Sequence, residues 1–153
     1  RDALAVVDRD RHVPGIAGLG AAMNLVREHR AGERARLSGL RKYLVYGLQA
    51  LDPEVSVNGA EETTAPHVVS VSFPGADAEM LQIRLNNEGV AVSLGSACNS
   101  KSIEPSHVLT AMRLPPERIE STLRISLGLH TTQAEIEFLL EALAQALPRT
   151  LIR

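Results

Sequence analysis

The chain has 153 residues, 44% hydrophobic and 22% charged, with 16 Lys and Arg against 18 Asp and Glu for a net charge of −2. That length suits one domain with its own core, and the composition excludes a disordered chain. Nucleic acid is excluded as an expected partner by the balanced charge and by the scarcity of aromatics, two Tyr, two Phe and no Trp, while no apolar run approaches the ~20 residues a membrane span requires and no signal-peptide apolar segment opens the chain.

Residues 1–12 set Leu4, Ala5, Val6 and Val7 between charged flanks and read as an N-terminal arm, either a short strand or frayed, with one domain over residues 13–153. Pro14 suits a first helical turn, and Ile16, Leu19, Met23 and Val26 recur at helical spacing until Gly32 interrupts. A second helix follows on the stripe Leu37, Leu40, Leu44, Leu48 and Leu51, with Arg34, Arg36, Arg41 and Lys42 as a solvated basic edge. Asp52 and Pro53 end it. Val55 and Val57 form a short strand before the Asn58-Gly59 turn, and residues 67–73 alternate as a second strand, with His67 as a surface or capping residue. Asp77 caps a helix that carries Met80, Leu81, Ile83 and Leu85 and stops at Gly89. Val90, Ala91 and Val92 then read as a short buried strand.

After that strand the side chains become small and polar around Cys98, the single cysteine. A lone cysteine is ordinarily a small buried hydrophobe. Here it sits on a loop that Gly95, Ser96 and Ala97 leave free to bend, with Lys101 and His107 near enough in sequence to favour a thiolate. One cysteine forms no internal disulfide, in keeping with a reducing compartment, and the cytoplasm is the expected location. A structural zinc needs more thiolates or imidazoles at short spacing, so no metal is expected. Ser106 caps a short helix through Met112 that ends before Pro115 and Pro116. Leu123, Ile125 and Leu127 alternate with Arg124 and Ser126 as a strand with one buried face. Thr132 and Glu135 form a capping box ahead of Ile136, Leu139, Leu140, Leu143 and Leu147. The interleaved elements predict an α/β (α+β) fold, a small and mostly antiparallel sheet covered on one face by helices.

Two motifs carry a resemblance. Ser93-Leu94-Gly95-Ser96-Ala97-Cys98, with Ser100 and the run Ile103-Glu104-Pro105-Ser106-His107-Val108-Leu109, resembles the active-site loop of the pyridoxal-phosphate cysteine desulfurases, in the class V aminotransferase family. Arg124-Ile125-Ser126-Leu127-Gly128, followed by Thr131 and Thr132, resembles that family's arginine strand. The likeness runs from about Val13 to Leu147 and corresponds to the C-terminal, small domain of a family member, in the type I architecture of these enzymes. Leu94, Asn99 and Leu129 depart from a common serine, threonine and arginine, and Arg9-Asp10 stand where the family carries a Gly-Thr pair.

The resemblance implies that pyridoxal phosphate holds L-cysteine, that Cys98 attacks its sulfur and carries the persulfide while alanine leaves, and that Arg124 grips the substrate carboxylate. Ser93, Gly95, Ser96, Ala97, Asn99 and Ser100 would form the active-site loop, and His107 and His130 are read as structural. It also implies a cofactor-binding large domain as partner, a homodimer when complete, and a sulfur acceptor or iron–sulfur scaffold downstream. The Schiff-base lysine is missing: the chain has only Lys42 and Lys101, neither in the family's Ser-x-His-Lys setting. No cofactor-binding residue is therefore expected within this chain, and alone it is expected to be inactive. Three readings follow: a fragment or split half of the desulfurase, a stand-alone sulfur-relay or scaffold-docking domain without the cofactor, or a silent relic that packs on a partner.

Overall fold

The computed structural model describes residues 13–95 and 105–150. The chain divides into two compact units, Arg1–Ala35 and Arg36–Arg153. Of the first, the described part is the leading portion of helix α1 (Val13–Leu51), where Val13, Ile16, Leu19, Met23, Leu25 and Val26 are all exposed. The expected N-terminal arm lies outside the described residues. Two helices were expected on either side of Gly32, and α1 is one. A lone glycine costs a helix only ~1 kcal/mol relative to alanine, too little to break a run of good helix formers such as 33–37.

The second unit is built on a four-stranded sheet of order β1-β2-β4-β3. Strand β1 (Ser56–Val57) pairs antiparallel with β2 (Val68–Ser72). β2 pairs with β4 (Thr122–Ser126) from Val68↔Ser126 to Ser72↔Thr122, and β4 pairs with β3 (Ser93–Leu94) through Ser93↔Arg124 and Leu94↔Leu123, all antiparallel. Alternation puts Val69, Val71, Leu123 and Ile125 on one face, and they join a single core with Leu44 and Leu48 of α1, Leu81 and Leu85 of α2 (Ala78–Asn87), and Ile136 and Leu143 of α5 (Gln133–Ala146). Each such fully buried aliphatic side chain contributes ~1.5–3 kcal/mol of hydrophobic stabilisation. This is the expected α/β arrangement, with helices on one face of an antiparallel sheet.

The caps follow local chemistry. Asp77 accepts from the backbone N–H groups of Glu79 and Met80, and Thr132 and Glu135 satisfy each other's backbone N–H groups in the expected capping box. At the other end of α2, Gly89 adopts φ +82°, so its N–H reaches Asn86 O at 3.0 Å and that of Val90 reaches Leu85 O at 2.8 Å. This left-handed close occupies Val90, and Gln82 Nε2 donates to Val92 O at 2.8 Å. Residues 90–92 therefore form no strand, and the pairing expected there falls on Ser93–Leu94.

Two further expectations change. Pro115 and Pro116 were read as a stop, yet Pro116 begins helix α4 (Pro116–Glu120), at the first position, where a missing N–H costs nothing. The basic edge of α1 is only partly solvated. Arg36 donates to the carbonyls of Thr131 at 2.6 Å and of Gly128 and Leu129 at 2.9 Å, and Arg41 is 7% exposed. The loop after β4 turns its carbonyls toward α1, and a long guanidinium reaches them where the sequence shows only a charge. Beyond them, Tyr43 Oη donates to Glu137 Oε1 at 2.8 Å, which raises the phenol's pKa. The Glu137 carboxyl is held below its ordinary value, first by Gln133 and then by Tyr43. Among the described residues no helix is long and apolar enough to cross a membrane.

Candidate active site

The face of the sheet turned away from the core is polar. In antiparallel pairing, directly opposite residues share a face, so the register sets Ser70, Arg124 and Ser93 in one row across β2, β4 and β3, and Ser56, Ser72 and Thr122 in the row below. Arg124 thus stands on an interior strand, flanked on both sides, and its side chain is exposed. Its hydrogen bond among the described residues runs from Nη2 to Ser93 Oγ at 3.3 Å. Two residues singled out separately in the sequence, Arg124 and Ser93, are therefore neighbours.

One end of the lower row is closed and rigid. Thr122 is 1% and Ser72 0% exposed. Thr122 Oγ1 gives its proton to Arg118 O at 2.6 Å, so in its 2.7 Å contact with Ser72 Oγ the serine is the donor. Asn58 Nδ2 in turn donates to Ser72 Oγ at 2.9 Å and Ser70 Oγ at 3.2 Å. Every buried hydroxyl there has a partner, as burial demands. Sequence reading missed this network; the Ser70/Ser72 alternation within a valine strand was its signal.

Gly95 follows β3 and donates its N–H to Thr122 O at 2.9 Å. A Cβ there would meet Thr122 Cγ2 at 2.8 Å and Leu109 Cδ1 at 2.9 Å, so glycine is required by close approach. Leu109 lies on α3 (His107–Ala111), whose cap is Ser106 as expected, its hydroxyl accepting from Leu109 N–H. The remaining loop residues, Ser96, Ala97, Cys98, Asn99 and Ser100, lie outside the described residues, as does Lys101. His67, His107 and His130 are exposed, and His67 contributes its carbonyl, which accepts from Leu127 N–H at 2.8 Å. Among the described residues no three His, Cys, Asp or Glu side chains are grouped to hold a metal.

An exposed guanidinium on the open face of a sheet, with a hydroxyl beside it, has the chemistry to receive a small anionic group, here on an α/β scaffold. The aminotransferase class-V family model matches residues 10–139, and the chain belongs to that family. Within it, the chain is 42% identical over 131 residues to the cysteine desulfurase IscS of Clostridium botulinum (strain Hall), covering 84% of this chain and 33% of that protein. To the IscS of Dictyoglomus turgidum it is 36% identical over 138 residues, 90% of this chain and 35% of the relative. Among solved structures, a NifS-like protein superposes with a TM-score of 0.73 at 30% identity, covering 87% of this chain and 33% of the other. The NifS-like protein from Rickettsia africae gives 0.71 at 28%, covering 86% and 33%. The chain thus spans about a third of the length of the relatives it matches.

Proposed function

We propose that the chain is the C-terminal part of a cysteine desulfurase, converting L-cysteine and the Cys98 thiol into alanine and a Cys98 persulfide that is passed to a sulfur acceptor, as in iron–sulfur cluster assembly. The observation that carries this is Arg124, an exposed guanidinium on an interior strand with hydroxyl neighbours and no carboxylate partner among the described residues. A planar fork with free donors suits a substrate carboxylate bidentately. Ser93 is the positioning residue that steadies it. Cys98 is four peptide units from Leu94, the end of β3, and four units span at most ~14 Å, so the thiol at position 98 is tethered near the strand that flanks Arg124. The net conversion balances: the substrate loses one sulfur atom, which the thiol gains.

Pyridoxal phosphate, which the family implies, is not fitted by the described residues. Their only lysine, Lys42, is on α1, on the covered side of the sheet, and faces Glu61 at 3.7 Å. The cofactor is therefore assigned to a large domain outside this chain, and completion as a homodimer is part of the same proposal. To test this, the chain is joined to the cofactor-bearing segment of a cysteine desulfurase relative, and alanine release and protein-bound persulfide are measured. Restored alanine release with one added sulfur atom on Cys98 is expected, and Cys98→Ser should abolish both. Alanine release indifferent to Cys98→Ser would overturn the assignment.

A further inference from the structure

We propose that Ser70 donates a hydrogen bond to the substrate carboxylate alongside Arg124, and so helps the site select an amino acid over a plain amine. The inference rests on the desulfurase reading and adds a residue to its site. Ser70 and Arg124 are directly opposite on β2 and β4. Three pairs away on either side, Leu127 N–H donates to His67 O at 2.8 Å and Phe73 N–H to Ser121 O at 2.9 Å. By the antiparallel alternation, 70↔124 is therefore a non-hydrogen-bonded pair, in which Cα atoms approach to ~4.5 Å and side chains stand closest. Ser93, on the other flank, already accepts from Arg124 Nη2.

The buried network beneath this row fixes what the Ser70 hydroxyl can do. A carbonyl only accepts, so Arg118 O takes the Thr122 proton, and Thr122 Oγ1 takes that of Ser72. Ser72 Oγ then accepts from Asn58 Nδ2 at 2.9 Å, and the same amide donates to Ser70 Oγ at 3.2 Å. Thr122 and Ser72 each pass their proton on within the network. Ser70 receives one and keeps its own to give. Asn58, Ser72 and Thr122 are 4%, 0% and 1% exposed, so solvent does not disturb this order, whereas Ser70 is only half-buried and open to a ligand. A hydroxyl committed as a donor, beside a guanidinium that only donates, complements the acceptor oxygens of a carboxylate.

The test uses the joined protein carrying Cys98→Ser, so that no sulfur is transferred, and measures by calorimetry the binding of L-cysteine and of cysteamine, which is L-cysteine without its carboxylate. Ser70→Ala should weaken L-cysteine binding about tenfold, the loss of one charge-assisted hydrogen bond, and leave cysteamine binding where it was. Ser70→Thr, which keeps the hydroxyl, should preserve the preference. Because Ser70→Ala leaves an Asn58 N–H without its acceptor, it could fail to fold; Ser70→Cys, with its weak S–H donor, then carries the test and should weaken L-cysteine selectively by several-fold. Equal weakening of both ligands would show a purely structural serine and overturn the proposal, as would no weakening at all. Arg124→Ala separates the two levels. If it abolishes the preference for L-cysteine while Ser70→Ala does not, this inference alone falls; if neither substitution moves the preference, the carboxylate grip falls with it.

Discussion

Among the described residues Arg124 has hydroxyls for neighbours where a surface arginine ordinarily has carboxylates, which leaves its charge open to a ligand. In the joined enzyme, Arg124→Ala should raise the KM for L-cysteine by roughly 10- to 150-fold, the ~1.5–3 kcal/mol of a hydrogen bond to a charged group. Ser93→Ala removes one neutral partner and should cost less, ~0.5–1.5 kcal/mol, in the same parameter. An unchanged KM in Arg124→Ala would place the carboxylate elsewhere. Arg124 was legible because its strand alternates cleanly and its neighbours match a motif. Arg41 was not: on a helix edge crowded with Arg34, Arg36 and Lys42, charge alone does not reveal which guanidinium the fold turns inward.

At the scale of elements, what the sequence announces best is what a few consecutive residues decide. The caps at Asp77, Ser106 and Thr132 each depend on a side chain and a backbone N–H two or three positions on, and all three stand as expected. The strand expected at 90–92 moved to Ser93–Leu94 because its place is set by pairing with Leu123 and Arg124, some 30 positions away, and by the helix close at Gly89. Helix α3 ends in the same left-handed manner, but with Arg113 at φ +58° in the position glycine favours. Its N–H reaches Thr110 O at 2.9 Å and that of Leu114 reaches Leu109 O at 3.2 Å. An L-residue so placed costs ~1–2 kcal/mol, of which glycine's own flexibility returns ~0.5–1. Arg113→Gly should therefore stabilise the chain by ~0.5–1 kcal/mol, raising the urea midpoint, whereas Arg113→Ala should not. A lowered midpoint in the glycine variant would show that the arginine side chain outweighs the backbone strain.

For the molecule as a whole, the two faces of the sheet divide the labour. One is sealed by α1, α2 and α5; the other, carrying Arg124, presents hydroxyls and a charge. Among the described residues neither offers pyridoxal phosphate an anchoring amine, since Lys42 belongs to the sealed side and is paired with Glu61. The unjoined chain should show no saturable visible absorbance band when titrated with the cofactor. A stoichiometric band lost on Lys42→Ala or Lys101→Ala would contradict this.

The strand order also sets a sequence of events. Strands β2 and β3 are not neighbours; β4, the last to be synthesised, inserts between them. Until residues 122–126 arrive, β3 has no partner and β2 has only the two-residue β1, and so small a pairing is marginal by itself. The sheet therefore closes late, through contacts that span 50 to 58 positions between β2 and β4, which slows folding and leaves apolar edges waiting. Arg124 arrives on the strand that completes the sheet, so under the proposed function a chain that has not finished folding would have no substrate grip to offer.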